Sequence, residues 1–165
     1  MYVPFPQLPD TSRVWIYTTN KVLGPSDQQI IAERLEQFVR SWQSHQKDVV
    51  ASFTIIKNRF VVLATDDANQ DVSGCGIDKS VHAIAALENE LQISLLDKST
   101  IYFEKDGEIF PVPLPKIKDA IASLRIDTGT FFYNTLVFNK KELNSGFHCP
   151  VVEGWTSRYF TKVNS

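Results

Sequence analysis

The sequence predicts an α+β fold, a ferredoxin-like β-α-β-β-α-β antiparallel sandwich with a C-terminal hairpin and helix appendage. Three observations carry this expectation. Segments rich in β-branched and aromatic residues alternate with two long runs of helical period. Short turns containing Gly, Asn and Asp separate the strands. The apolar fraction is 43%, with three Trp and eleven Phe in 165 residues, which suits a real core and excludes a disordered chain. The chain reads as one domain over 1–165, with an extended arm at 1–12, an α+β core at 13–104 and an appendage at 105–165.

In "MYVPFPQLPD", Pro4, Pro6 and Pro9 bar a helix, and Tyr2, Val3, Phe5 and Leu8 make an arm that packs across the core. "RVWIYTT" (Arg13–Thr19) is the first strand. "GPSD" turns the chain, with Ser26 or Asp27 as the cap of a helix running to about Gln46. Ile31, Leu35, Phe38 and Trp42 form its core stripe, and His45 closes it where a cation suits the helix dipole. Strands Val49–Ile56 and Arg59–Thr65 join at Lys57-Asn58, and the unbroken apolar run "FVVLA" marks a central strand covered on both faces.

A second helix is expected from about Asp78, with Val81, Ile84, Leu87 or Glu88, and Leu91 as its stripe and Ile77 entering just before. "STIYFE" is a fourth strand of the same sheet, with both long helices on one face of it. Asp106-Gly107 turns into "IFPVP", which Pro111 and Pro113 place at an edge or break early. A short helix follows with Ile117, Ile121 and Leu124 on one side, then "TFFYNTLVFNKKEL" and the tail "FHCPVVEGWTSRYF".

The formal charge of −2 and the lack of a Lys/Arg run disfavour nucleic-acid partners. No apolar run approaches the roughly 18 residues of a membrane helix, and the start lacks a secretion signal, so no membrane partner is expected and the location is cytoplasmic. Two distant cysteines, Cys75 and Cys149, with no C-x-x-C spacing, imply reduced thiols rather than a disulfide framework or zinc site. His148 beside Cys149 falls short of a metal set, so no metal or cofactor is expected.

The stretch "DVSGCGIDKSV" admits three readings. As an anion cradle, Gly74 and Gly76 would let the backbone approach a ligand, Ser73 and Ser80 would add hydroxyls, and Lys79 would add charge at a helix N-terminus. As a thiol site, Cys75 would be the nucleophile and His82 the base, with Asp78 beside them. As a helix start, Ser73 or Asp78 would cap the free amides with no ligand at all. Asp66, Asp67 and Asp71 make the approach acidic, which favours the helix start over a phosphate. No G-x-x-x-x-G-K-[ST] loop exists. In "GWTSRYF", Trp155, Arg158 and Tyr159 are candidate partner contacts, although a docking C-terminal segment has the same composition.

Taken together, "MYVPFPQLPD", "RVWIY", "NRFVVLA", "SGCGIDKSV" and "WTSRYF" resemble a family of uncharacterised bacterial proteins of about this length, some labelled ABC transporter ATPase. The resemblance spans the chain and implies a bacterial, cytoplasmic protein. It implies no ATPase, because neither the phosphate loop nor L-S-G-G-Q is present. "EIFPVPLPKIKDAIASLRIDTGTFFYN" resembles the small GYF-type modules that bind peptides, without their defining aromatic motif. The functional expectation is a non-enzymatic domain that binds a partner protein or a small, anionic ligand. The alternative is a thiol-dependent or anion-substrate enzyme centred on Cys75 and His82.

Overall fold

The computed structural model describes residues 1–68 and 72–161. They form a mixed helix-and-sheet fold whose main sheets are antiparallel. The chain divides into two compact units, one of Met1–Asp97 with Phe138–Leu143, the other of Lys98–Val137 with the chain from Asn144 onward.

The first unit holds the sheet β1 (Arg13–Thr18), β5 (Phe60–Thr65) and β4 (Ala51–Ile56), in that order. All six residues of β5, the apolar run Phe60–Ala64 and Thr65, are buried, as a central strand covered on both faces requires. Lys57 and Asn58 both take positive φ in the tight β4–β5 connection. Helix α1 (Pro25–Ser41) and helix α2 (Gly74–Leu91) share one core cluster with one face of the sheet. Ile31, Leu35 and Val39 meet Ile84 and Leu87 there, above Tyr17, Val61 and Leu63. The β1–α1–β4 path with β5 between its strands is a split β-α-β unit.

The expected fourth strand does not join this sheet. Thr100–Lys105 is β6 and pairs in the second unit, so a four-stranded ferredoxin-like sheet is not formed. The outer edge of β1 is met instead by a short return segment. Val14 N–H donates to the Phe138 carbonyl (2.9 Å), and Arg13 bridges Asn139. The arm, with Tyr2, Val3 and Phe5 half-buried and Leu8 buried, closes the β4 edge, with Val3 N–H on the Ala51 carbonyl and Ala51 N–H on the Met1 carbonyl, both at 3.0 Å. Buried Lys140 ties arm to return segment, donating to the carbonyls of Leu8 (2.7 Å) and Pro6 (3.1 Å).

Helix boundaries differ from the expected ones for identifiable reasons. Helix α1 starts on Gly24 with Pro25 at its first position, and neither Ser26 nor Asp27 caps it. It ends at Ser41 because Trp42 leaves the helix to bury its indole, whose Nε1–H donates to the Gly76 carbonyl (2.9 Å). His45 therefore closes no helix. With Gln46 it forms the turn between β2 (Gln43–Ser44) and β3 (Lys47–Asp48), both at positive φ. Helix α2 starts four residues earlier than expected. Its buried face is Gly76, Ser80, Ile84 and Leu87, and Val81 is exposed.

The second unit is the sheet β7 (Glu108–Pro113), β6, β8 (Phe131–Tyr133) and β9 (His148–Pro150), antiparallel throughout. Asp106 and Gly107 both take positive φ in the β6–β7 hairpin, as a two-residue turn demands. Helix α3 (Ile117–Ala122) and the 3₁₀ segment Gly154–Tyr159 cover one face, packing on Phe103, Phe110, Val112 and Phe132. Leu124 is not part of the α3 stripe; it follows the helix at positive φ and is 71% exposed.

Candidate functional site

The stretch opening helix α2 is a closed polar latch. Ser73 is the N-cap, its Oγ accepting from Gly76 N–H at 3.2 Å. Ser44, buried on the β2–β3 hairpin, lies 2.8 Å from Ser73 Oγ and accepts from Ser73 N–H at 3.1 Å. Lys79 Nζ donates to the Gln43 carbonyl of the same hairpin (3.3 Å). Gly76 is small because of packing: a Cβ there would lie 2.8 Å from Val72 Cγ1 and 3.1 Å from Ser44 Oγ. Gly74 faces open space. Ser80 turns into the core, where it donates to the Ile77 carbonyl and bonds the Tyr17 phenol, whose pKa burial pushes up.

Of the aspartates on the approach, Asp66 and Asp67 turn on their own loop, accepting from Ala68 N–H and Thr65 Oγ1; Asp71 lies outside the described residues. Asp78 is an exposed mid-helix residue rather than the cap. Cys75 and His82 are both exposed on α2, seven positions apart, a separation of about 10 Å along the axis. Among the described residues no hydrogen bond joins Cys75, Asp78 and His82, and none approaches a metal-binding cluster. Cys149 is buried, and burial raises its thiol pKa.

The tail candidates dock on their own unit. Trp155 meets Phe132 edge-on at 5.6 Å, and Tyr159 meets Trp155 at 6.5 Å. Exposed Arg158 lies over both rings, 5.5 and 5.1 Å from their centroids.

Two features of the second unit lay outside the sequence expectation. On one face, the Glu104 carboxylate accepts from the Tyr133 phenol and lies 3.4 Å from His148 Nε2. Burial, that bond and the Glu104 charge, in that order, raise the Tyr133 pKa. The His148 ring stacks parallel on Phe131 at 4.5 Å.

The second feature surrounds Arg125. Its guanidinium lies 4.7 Å from the Phe110 ring centroid, and among the described residues it has no hydrogen bond or ion pair. It separates two open hollows along β7. One, about 280 Å³, is lined by Lys105, Asp106, Glu108, Phe110 and Arg125 itself. The other, about 370 Å³, has Val112, Pro113 and Ala120 as an apolar floor, with Lys116 and Asp119 on its rim. Lys105 is already neutralised by Asp127 at 2.8 Å, and that bond, with the Gly129 N–H, holds the Asp127 carboxyl below the usual range. Lys116 has Asp119 at 3.9 Å. Arg125 is thus the uncompensated cation of the larger hollow. Nothing in "SLRID" signals this from sequence, because the hollow exists only once α3 packs on β7.

Comparison with protein-family models, with curated proteins and with solved structures finds no match to this chain.

Proposed function

We propose that this chain is a non-enzymatic binding domain that holds an apolar group bearing a carboxylate in the hollow between β7 and α3. The observation that carries the reading is Arg125. A guanidinium stacked on an aromatic face keeps its donors free and oriented, and a carboxylate accepts two of them at once. The floor of Val112, Pro113 and Ala120 supplies the apolar contact, and about 370 Å³ is the size of a small-ligand site. The thiol-enzyme alternative gains no support, since Cys75 and His82 face solvent without touching. Two unpaired thiols suit the reducing cytoplasm implied by the resemblance to bacterial proteins.

The test is an amide-resolved NMR titration with 4-phenylbutyrate and with its neutral alcohol, 4-phenyl-1-butanol. The carboxylate is expected to shift the amides of Val112, Ala120 and Ser123 and to bind about tenfold more tightly than the alcohol. Arg125→Gln, an exposed substitution, should erase that difference. Equal binding of the two compounds, or shifts elsewhere, would refute the reading.

A further inference from the structure

Leu124 and Arg125, side by side after α3, sit where the packing of their own unit does not require them. Leu124 takes a φ of 64°, a conformation that favours glycine, and carries its apolar side chain into solvent. The turn that holds it is firm. Leu124 N–H donates to the Ile121 carbonyl (3.0 Å), Ile126 N–H to the Ala120 carbonyl (3.1 Å), and Lys105 Nζ to the Leu124 carbonyl (2.8 Å). Backbone strain of this kind collects at recognition sites, and an exposed leucine on a fixed turn is a ready contact. Beside it the charges are mixed and unsatisfied. Arg125, Asp106 and Glu108 line one hollow, yet no ion pair joins them to each other or to another described residue. Stacking on Phe110 holds the guanidinium, and Lys105, the remaining charge of that hollow, is taken by Asp127.

One patch thus carries each group together with its complement: a cation and two anions, an exposed leucine and the apolar hollow between β7 and α3 that Arg125 also lines. A two-fold axis brings every such group onto its complement, because in an isologous contact residue i meets j while j meets i. The outer edge of β7 is not the place of contact. In a two-residue hairpin the closing pair, Lys105 and Glu108, is hydrogen-bonded, so the backbones of Phe110 and Val112 also bond inward to β6. The backbones of Ile109, Pro111 and Pro113 then face outward, and two of these three have no N–H to offer an added strand.

We infer, resting on the carboxylate reading of Arg125, that this patch is a two-fold interface with a second copy of the chain. Leu124 of each copy enters the apolar hollow of the other, and Arg125 of each pairs with Glu108 of the other, with Asp106 beside it. The apolar group and the carboxylate that the site takes are then those of its own twin. Complementary charge sets the register of the pair, and the fixed turn lowers the cost of ordering it.

Sedimentation equilibrium over a concentration series tests this. The full chain is expected to form a reversible dimer that weakens as salt is raised, and excess 4-phenylbutyrate should shift it toward monomer. Arg125→Glu and Glu108→Lys, each alone, set like charges against each other and should weaken the dimer at least about tenfold. Mixed in equal amounts, the two variants should associate again, because each contact of the mixed pair then joins opposite charges; that recovery also shows that both variants fold. Leu124→Gly, which suits the positive φ, should weaken the dimer while keeping the melting temperature of the dilute protein. Association that ignores the two charge variants, or that mixing does not restore, would overturn the inference. If the chain stays monomeric throughout while 4-phenylbutyrate binds through Arg125, the interface falls and the carboxylate site stands. If neither the butyrate nor a second copy engages Arg125, both fall.

Discussion

Ser73 Oγ occupies the Gly76 amide that an anion at the start of α2 would need, and Ser44 holds Ser73 from the other side. Removing this hydroxyl leaves an orphan amide and takes one of the hydrogen bonds of buried Ser44. Ser73→Ala is therefore expected to lower stability by about 1–2 kcal/mol. Asp78→Ala, in mid-helix and exposed, should stay within about 0.5 kcal/mol. Thermal melts with and without sulfate check both; a sulfate-dependent rise in either variant would restore the anion reading. "DVSGCGIDKSV" made a helix start legible, yet two acceptors fitted it equally. The choice was made by Ser44, a residue 29 positions away that no local pattern could bring to Ser73.

Tyr133 belongs to the same scale. Its raised pKa favours the neutral phenol in the folded state. That contribution is complete below the ordinary tyrosine value of about 10 and is lost as pH rises through the higher folded value. In an alkaline absorbance titration Tyr133→Phe should remove one late-ionising phenol. Glu104→Gln should lower the Tyr133 value only in part, because burial is the larger cause. A Tyr133→Phe variant that instead loses a phenol titrating near 10 would contradict the buried pair.

At the scale of elements, the strands were legible and their partners were not. β1, β4, β5, β6 and β7 lie within a few residues of the expected runs, since alternation and turn chemistry are local. Which sheet β6 joins depends on pairing with β7 and β8, which no spacing in "STIYFE" records. The α2 boundary moved for a similar reason. Glycines argued for a loop over 74–76, but Gly76 is required inside the helix by Val72 and Ser44. The prolines of β7 were read correctly as edge markers, and their parity adds a prediction. Pro111→Val returns an outward donor to an otherwise acceptor-rich edge, and concentration-dependent association is expected in sedimentation velocity. A variant that stays at the wild-type sedimentation coefficient over the whole concentration range would show that the edge is guarded by something else.

At the scale of the molecule, the composition correctly announced abundant apolar core, and the described residues use it in two clusters, one under α1 and α2 and one under α3. No described helix is long and apolar enough to cross a membrane. The candidate site at Arg125 was the least legible feature, because an arginine without a partner is recognised only when every neighbour has been placed. The division into units also crosses the chain order. The first unit stops at Asp97 and resumes at Phe138, whose carbonyl takes the Val14 amide on the edge of β1. During synthesis at about 5–20 residues per second, that gap takes roughly 2–8 s to translate. Throughout the interval a nascent chain carries β1 with its outer amides uncovered, and any chaperone that attends this protein has its task set by that wait. Once Phe138 and Lys140 leave the ribosome, the edge and the arm are secured together by a segment of only a few residues.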